Sequence, residues 1–280
     1  MRRPRAAVPR RAGTTWSHHL GDITTAQPTL THRYGDHPRQ VADLWLPSGA
    51  ARGVVVLVHG GFWRAAYDRS LQDAVVEDLV GTGWAVWNLE YRPVGDGGGW
   101  PRTFEDAASG TDALADVARE AGLPLHRVVA IGHSAGGTLA AWLGARHLLP
   151  AGAPGADPRV RPTAVCAQAG VLDMVTAARE DVGRGAVTDL LGSGPDEDPE
   201  RYAVTSPAAL VPSGVPVLAL TGAEDDVVPP RQSAAFVAAA VRAGDDARLE
   251  VVPGEGHMEH LDPTAACWGA ARRWLEALPG

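Results

Sequence analysis

The stretch "AIGHSAGGTLAAWLG", residues 130–144, joins the end of an apolar run to a run of small, helix-forming residues. The apolar run "VVAI", residues 128–131, is short and rich in β-branched residues, which is typical of a strand buried in a parallel sheet. Ser134 stands at the junction, with a glycine two positions before it and another two positions after it. In this setting a G-x-S-x-G pattern predicts a sharp strand-to-helix turn that exposes the serine hydroxyl, rather than an ordinary glycine-rich turn.

Other apolar runs on both sides of this stretch predict further strands of the same sheet. An alternating run at residues 40–47 predicts a half-exposed strand near a sheet edge. An all-apolar, β-branched run predicts a buried strand within residues 53–61, and five runs that resemble it predict strands within residues 84–91, 127–134, 163–170, 215–222 and 247–254. Residues with helical spacing separate several of these runs, as in 104–122. The alternation predicts an α/β fold, with a mostly parallel central sheet, helices on both faces and ligands at the carboxyl ends of the strands.

The longest connection between predicted strands covers about residues 171–213. It is too long for a plain loop, so we expect short helices that form a small cap over the strand ends. Residues 1–20 are rich in arginine and lack an apolar stretch, and we expect either a disordered tail there or a start codon assigned too far upstream. Residues 21–280 are then predicted to form a single domain.

Composition narrows the class of protein. The net charge of −8 offers no basic surface for a nucleic acid, and no apolar stretch is long enough to span a membrane. Cys166 and Cys267 fall in predicted core elements, which favours buried thiols over a disulfide. The histidines near the N-terminus lack metal-ligand spacing, and "GGGWP" lacks the residues of a phosphate-binding loop. We therefore expect a cytoplasmic enzyme without metal or cofactor, and the sequence carries no clear signal of oligomeric state.

A serine hydroxyl becomes a good nucleophile only when a histidine takes its proton and an acid orients that histidine. Two aspartates, Asp225 and Asp226, follow the predicted strand that ends near residue 221, and His257 follows the last predicted strand. The order serine, aspartate, histidine is typical of one fold that uses such a triad. The expected substrate site therefore lies where these three strands end.

Taken together, these motifs resemble the α/β-hydrolase superfamily over about residues 40–278. The resemblance is greatest to the branch that holds bacterial carboxylesterases, feruloyl-esterase-like enzymes and kynurenine formamidases. It rests on "HGGFW", "GHSAGG", "GAEDDVVP" and "GEGH". The resemblance implies that Asp225 is the triad acid, with Asp226 as the fallback, and that the base is His257 rather than His260.

The "HGGFW" segment, residues 59–63, has a predicted role of its own. Attack on a carbonyl creates an oxyanion, which needs backbone N–H donors already directed toward it. We assign these donors to Gly61 or Phe62 together with Ala135, the residue after the nucleophile. Trp63 and Trp100 are candidates to line the substrate pocket, with packing against a helix as the equal alternative for Trp100.

The predicted activity is hydrolysis of a small, moderately apolar carboxylic ester through an acyl-enzyme intermediate. An arylformamidase that hydrolyses N-formylkynurenine is the principal alternative, because the same groups would cleave its C–N bond. Two more distant alternatives are a peptidase of the prolyl-oligopeptidase type, suggested by "DDVVP" and the following Ser233, and a non-catalytic binding protein on the same fold. Whether the substrate is an ester or a formamide depends on pocket walls that the sequence does not place.

Overall fold

An eight-stranded sheet forms the centre of the computed structural model, which describes residues 27–279. The tail predicted at residues 1–20 lies outside the described residues. The spatial order is β1-β2-β4-β3-β5-β6-β7-β8. Strand β2 runs antiparallel to its neighbours β1 and β4, and every other neighbouring pair is parallel. The strands β1 to β8 are Leu30–Arg33, Val41–Trp45, Val54–Val58, Ala85–Leu89, Val128–His133, Ala164–Gln168, Val217–Gly222 and Ala247–Val252.

Helices cover both faces of the sheet, and the strand residues alternate between them. On β3, Val54, Val56 and Val58 belong to the core formed with α2 and α3, whereas Val55 and Leu57 pack with α1 and α8. A strand buried on both faces needs an apolar residue at every position, which explains the unbroken apolar runs. The helices α1 to α8 are Asp73–Gly81, Arg102–Ala121, Ala135–Ala145, Met174–Arg179, Ala186–Leu191, Pro199–Thr205, Arg231–Ala243 and Ala266–Ala277.

The two edges of the sheet differ from the sequence prediction. Strand β1 was not predicted, because its four residues are mostly exposed and carry no apolar pattern. By pairing with β2 it makes that strand largely buried. The strand predicted within residues 40–47 is therefore present and lies next to the sheet edge, but its predicted half-exposure is wrong. Strand β8 forms the opposite edge and leaves Leu249 and Val251 exposed, although its run was grouped with the buried strands.

The long connection between β6 and β7 contains α4, α5 and α6. Their apolar residues, such as Met174, Leu190 and Tyr202, join the core on the face that carries α2 and α3. These short helices therefore lie against the body of the molecule near the strand ends. No helix among residues 27–279 is both long and apolar enough to cross a membrane.

Candidate active site

A single residue, Ser134, connects β5 to α3. Its backbone has φ 56° and ψ −121°, and a positive φ is uncommon for a residue with a side chain. Gly136 permits the tight turn, because a Cβ there would lie 2.0 Å from the carbonyl oxygen of Val58 on β3. The turn holds the hydroxyl at the carboxyl ends of the strands, as the strand-to-helix pattern predicts.

Three side chains from separate strand ends meet beside this turn. Ser134 Oγ lies 3.0 Å from Nε2 of His257, and Nδ1 of His257 lies 2.8 Å from Oδ2 of Asp225. An ionised carboxylate only accepts hydrogen bonds, so Nδ1 carries the ring proton and Nε2 accepts the serine O–H. The three groups form a hydrogen-bonded chain in the order that activates a serine.

The backbone after β7 determines which of the two neighbouring aspartates reaches His257. Oδ1 of Asp225 accepts hydrogen bonds from the amides of Val227 at 2.9 Å and Val228 at 2.8 Å, which leaves Oδ2 to face the histidine. Asp226 is exposed and points toward an outer cleft instead. The structure thus brings Asp225, and not the fallback Asp226, into the chain of hydrogen bonds.

The "HGGFW" loop packs directly against the Ser134 turn. A Cβ at Gly60 would lie 2.7 Å from the carbonyl oxygen of His133, so only glycine allows this approach. Trp63 is buried, and its Nε1–H donates to the carbonyl oxygen of Ala135 at 3.1 Å. The loop that contains Gly61 and Phe62 is therefore tied to the first residue of α3. A helix leaves its first amides without internal acceptors, so the Ala135 N–H is available to a substrate oxygen.

A small cavity lies beside Ser134, with a volume of about 10 Å³, which is room for about one water molecule. Its walls are mostly apolar and come from the "HGGFW" loop, the Ser134 turn and the long connection. They are Phe62, Trp63, Ser134, Ala135, Val171, Val182, Gly183, Ala186 and Val228. Any group that enters this cavity must be small unless the walls move.

A larger cleft of about 490 Å³ adjoins the small cavity and shares Phe62, Val182 and Gly183 with it. Charged side chains of both signs line this cleft, namely Arg64, Glu180, Asp181, Arg184, Asp226 and Arg231. Two of the arginines are paired, since Arg64 lies 3.0 Å from Asp189 and Arg231 lies 2.7 Å from Glu180. The cleft is therefore polar and mixed in charge, in contrast to the apolar cavity beside the serine.

The structure places the two tryptophans predicted to line a pocket in different surroundings. Trp63 lines the small cavity. Trp100 is half-buried, and its ring packs edge-on against Phe104 of α2, with 5.6 Å between the ring centroids. Its amide donates to the carbonyl oxygen of Leu190 on α5 at 2.7 Å. Trp100 thus packs between α2 and the long connection, away from the walls of the cavity beside Ser134.

A buried polar network supports the "HGGFW" loop from below. His59 Nε2 lies 3.1 Å from Glu90, its Nδ1 lies 2.8 Å from the carbonyl oxygen of Gly60, and its ring stacks on Tyr91 at 4.3 Å. Glu90 also lies 3.6 Å from Arg39. Glu90 was not identified from the sequence as part of this network. The available signal was a carboxylate directly after the buried strand β4. In residues 27–279 no group of histidine, cysteine, aspartate and glutamate forms a candidate metal site.

His260, the alternative base, is fully buried a short distance along the chain from His257. Neither of its ring nitrogens has a hydrogen-bond partner among the described residues. Burial, aided by His257 and opposed by Asp225 and Glu255, lowers the pKa of His260 to about 4. The side chain is therefore neutral at pH 7 and belongs to the core beneath the site.

Replacing His260 with leucine is expected to make the protein less sensitive to acid. An unfolded histidine binds a proton below pH 6.5, whereas folded His260 does so only near pH 4, so the free energy of unfolding falls across that window. This difference in pKa between the unfolded and folded protein lowers the free energy of unfolding by about 2 kcal/mol by pH 5. Urea unfolding at pH 7 and pH 5 should give a smaller acid loss in His260→Leu than in the wild type. The exposed His126 provides the control as His126→Leu, and an equal acid loss in all three proteins would contradict the prediction.

The chain matches known proteins in family and in fold. The family model BD-FAE matches residues 42–239, which is most of the chain. No curated protein sequence gives a significant match.

Three hydrolases are among the solved structures that are similar to this one. A truncated carbohydrate esterase from gut microbiota has 20% identity and a TM-score of 0.76, with 91% of this chain and 97% of that chain covered. The butyrate-bound thermophilic esterase Est2 of Thermogutta terrifontis has 20% identity and a TM-score of 0.72, with coverages of 90% and 96%. The acetyl ester-xyloside bifunctional hydrolase of Caldicellulosiruptor lactoaceticus has 20% identity and a TM-score of 0.71, with coverages of 91% and 98%. These likenesses confirm the predicted fold class.

Proposed function

The chain belongs to the BD-FAE family, an α/β-hydrolase-like esterase family, and from that membership we propose that it hydrolyses esters of short carboxylic acids through an acyl-enzyme on Ser134. The observation that carries the proposal is the chain of hydrogen bonds from Ser134 through His257 to Asp225. All three members of the triad are present, so a non-catalytic binding protein has no support from this site.

The first half of the reaction forms the acyl-enzyme. Ser134 Oγ attacks the ester carbonyl carbon while Nε2 of His257 takes the hydroxyl proton. Asp225, 2.8 Å from Nδ1, stabilises the imidazolium that results. The oxyanion accepts hydrogen bonds from the amide of Ala135 and from Gly61 or Phe62. The carbonyl then re-forms, the ester C–O bond breaks, and His257 gives its proton to the departing alcohol oxygen.

The second half uses water in place of the alcohol. His257 takes a proton from a water molecule, which attacks the acyl carbon, and a second oxyanion forms at the same backbone amides. Collapse of this intermediate breaks the bond to Ser134 Oγ and releases the carboxylic acid. His257 returns the proton to the serine, so the site is restored.

The size of the cavity beside Ser134 supports a small acyl group. The cavity contacts Ala135 and Phe62, the candidate oxyanion donors, so the acyl carbon and its substituent belong there. About 10 Å³ accommodates little more than a methyl group without movement of Val182 or Val228. An acetyl group fits this space better than a longer or aromatic acyl group.

The larger cleft supports a polar alcohol as the leaving group. The cleft includes Asp226, Val227 and Pro229, which follow the triad acid Asp225 in the chain, and it adjoins the cavity beside Ser134, so it offers space for the alcohol part of the ester. Arginine and carboxylate side chains such as Arg184 and Asp226 can donate to and accept from several hydroxyl groups. An alcohol with many hydroxyls, such as a sugar, suits this wall, and two of the similar structures are a carbohydrate esterase and an acetyl ester-xyloside bifunctional hydrolase.

A formamide is the second candidate substrate class, because a formyl group is smaller still and fits the same cavity. Ser134, His257 and the oxyanion donors would act identically, with an amine leaving in place of the alcohol. N-formylkynurenine therefore belongs in the first assay. A kcat/KM for this formamide that exceeds the value for acetate esters by orders of magnitude would replace the esterase function with an arylformamidase function.

A series of p-nitrophenyl esters is expected to show a steep preference for acetate. Extra methylenes forced into a filled site cost about 1–3 kcal/mol, so kcat/KM should fall roughly tenfold to a hundredfold between acetate and hexanoate. Initial rates for acetate, butyrate, hexanoate and octanoate measure this dependence directly.

The Val182→Ala variant tests whether the cavity sets that preference. Val182 is buried in the cavity wall, so its truncation should raise the ratio of hexanoate to acetate hydrolysis. Val241→Ala is the matched control, because Val241 is 53% exposed on α7 and lines neither the cavity nor the cleft. Two results would contradict the assignment of the small cavity as the acyl site. One is equal turnover of all four esters by the wild type, and the other is an unchanged ratio of hexanoate to acetate hydrolysis in Val182→Ala.

A further inference from the structure

The residue before the nucleophile also contacts the backbone of the base. His133 is the last residue of β5 and is buried, and its Nε2–H donates to the carbonyl oxygen of His257 at 2.7 Å. We propose that His133 is a positioning residue that holds the backbone of His257, and thereby sets the distance between Ser134 Oγ and His257 Nε2. The inference rests on the proposed esterase function.

The protonation of His133 follows from its surroundings. A carbonyl oxygen only accepts, so the ring proton must be on Nε2. Nδ1 is buried and has no partner among the described residues, and a Cβ at Gly60 would lie 3.2 Å from it. A second proton would place a charge without an acceptor beside His257 and His260, whose ring centroids lie 4.7 Å and 5.6 Å away. The packing therefore selects a neutral ring with a single donor directed toward His257.

The position of His257 explains why such a donor matters. His257 lies in the turn after β8, outside any regular element, so no helix or strand ladder fixes its backbone. Amides of Ala223 and Glu224 bond to Val252 and Glu255 and hold the start of this turn. The bond from His133 fixes the turn at His257 itself and connects it to β5. The same strand thus positions the nucleophile and, through one rigid ring, the base.

The consequence for the reaction is geometric. Proton transfer from Ser134 requires the hydroxyl and Nε2 of His257 to stay within hydrogen-bond distance, and they lie 3.0 Å apart. A displacement of about 1 Å in a catalytic group can cost about a hundredfold in rate. Loss of the His133 donor should therefore lower kcat and leave substrate binding intact.

A matched pair of variants separates the donor from the volume of the side chain. His133→Gln keeps an N–H donor on an unbranched chain, whereas His133→Met has a similar length and no donor. With p-nitrophenyl acetate we expect kcat of His133→Met to fall about tenfold to a hundredfold at an unchanged KM. His133→Gln should recover most of this loss in kcat. Melting temperatures of both variants report any loss of folding, and His133→Asn, whose amide is one methylene shorter, replaces His133→Met if that protein does not fold.

The rate at which a fluorophosphonate labels Ser134 provides a second measurement that does not depend on the choice of ester. If the wild type is labelled but hydrolyses no ester, the proposed substrate class fails, and the labelling rates of the two variants still test the positioning role. Slow labelling of His133→Met with rescue in His133→Gln supports the inference. Equal kcat and labelling rates in the two variants, a loss confined to KM, or a wild type that is not labelled would overturn it.

Discussion

Ester hydrolysis is expected to fall by about a millionfold when Ser134 is replaced by alanine, to the level set by the oxyanion donors and substrate binding alone. The hydroxyl at 3.0 Å from His257 is the only group in the hydrogen-bonded chain that can form the acyl bond. Without it His257 has no proton to take, and no acyl-enzyme forms. The measurement is kcat for p-nitrophenyl acetate, with the release of the first equivalent of p-nitrophenol followed in a stopped-flow burst.

The control for this variant is Ser233→Ala. Ser233 is also a buried serine, on α7, and it is the residue that the peptidase alternative drew on. It takes no part in the contacts of Ser134, so Ser233→Ala should keep the wild-type rate and burst. A Ser134→Ala protein that still hydrolyses the ester within tenfold of the wild type would show that another nucleophile does the chemistry.

The turn at Ser134 could be predicted because the residues that determine it are neighbours in the sequence. An apolar strand, glycines flanking the serine and a helix of small residues all occur within residues 130–144. Each of these features is required by the close packing of the turn, as the 2.0 Å approach at Gly136 illustrates. When residues that are close in the sequence pack against each other, the packing restricts which residue types can occur there, and the sequence shows a recognisable motif.

The proximity of His257 and Asp225 could also be predicted, since both follow parallel strands on one side of β5. The choice between Asp225 and Asp226 could not be made from spacing alone. It depends on the turn after β7, where the amides of Val227 and Val228 capture one oxygen of Asp225 and direct the other toward the histidine. Successive residues in such a turn point in different directions, so a shift of one position reverses the assignment.

Other features depend on contacts between distant segments, and these were missed. Trp100 is a candidate for the pocket because it follows a glycine-rich loop, but its ring packs against Phe104 and its backbone amide bonds to Leu190 in the long connection. Glu90 lies beneath the "HGGFW" loop and faces His59 from 31 residues away. Strand β1 has no apolar pattern and is held by its pairing with β2. A single sequence carries no periodic signal for partners of this kind.

Replacing Asp225 with asparagine is expected to lower kcat by about ten-thousandfold with little change in KM. The asparagine side chain can donate through its amide to Nδ1 of His257, which would move the ring proton to Nε2. Nε2 could then no longer accept the Ser134 proton, although the size of the side chain is unchanged. The loss of the negative charge 2.8 Å from the ring also removes the stabilisation of the imidazolium. Steady-state kinetics with p-nitrophenyl acetate, beside a melting curve to establish folding, provides the measurement.

Asp226→Asn is the matched control for this prediction, since it makes the same chemical change one residue along the chain. Asp226 is exposed at the wall of the cleft and makes no contact with His257, so any effect of its replacement should be confined to KM for a polar alcohol. The two variants distinguish the acids by the backbone that holds them: the amides of Val227 and Val228 direct Asp225 alone toward the histidine. A loss of kcat in Asp226→Asn with an active Asp225→Asn would therefore mean that the turn after β7 adopts a different arrangement during catalysis.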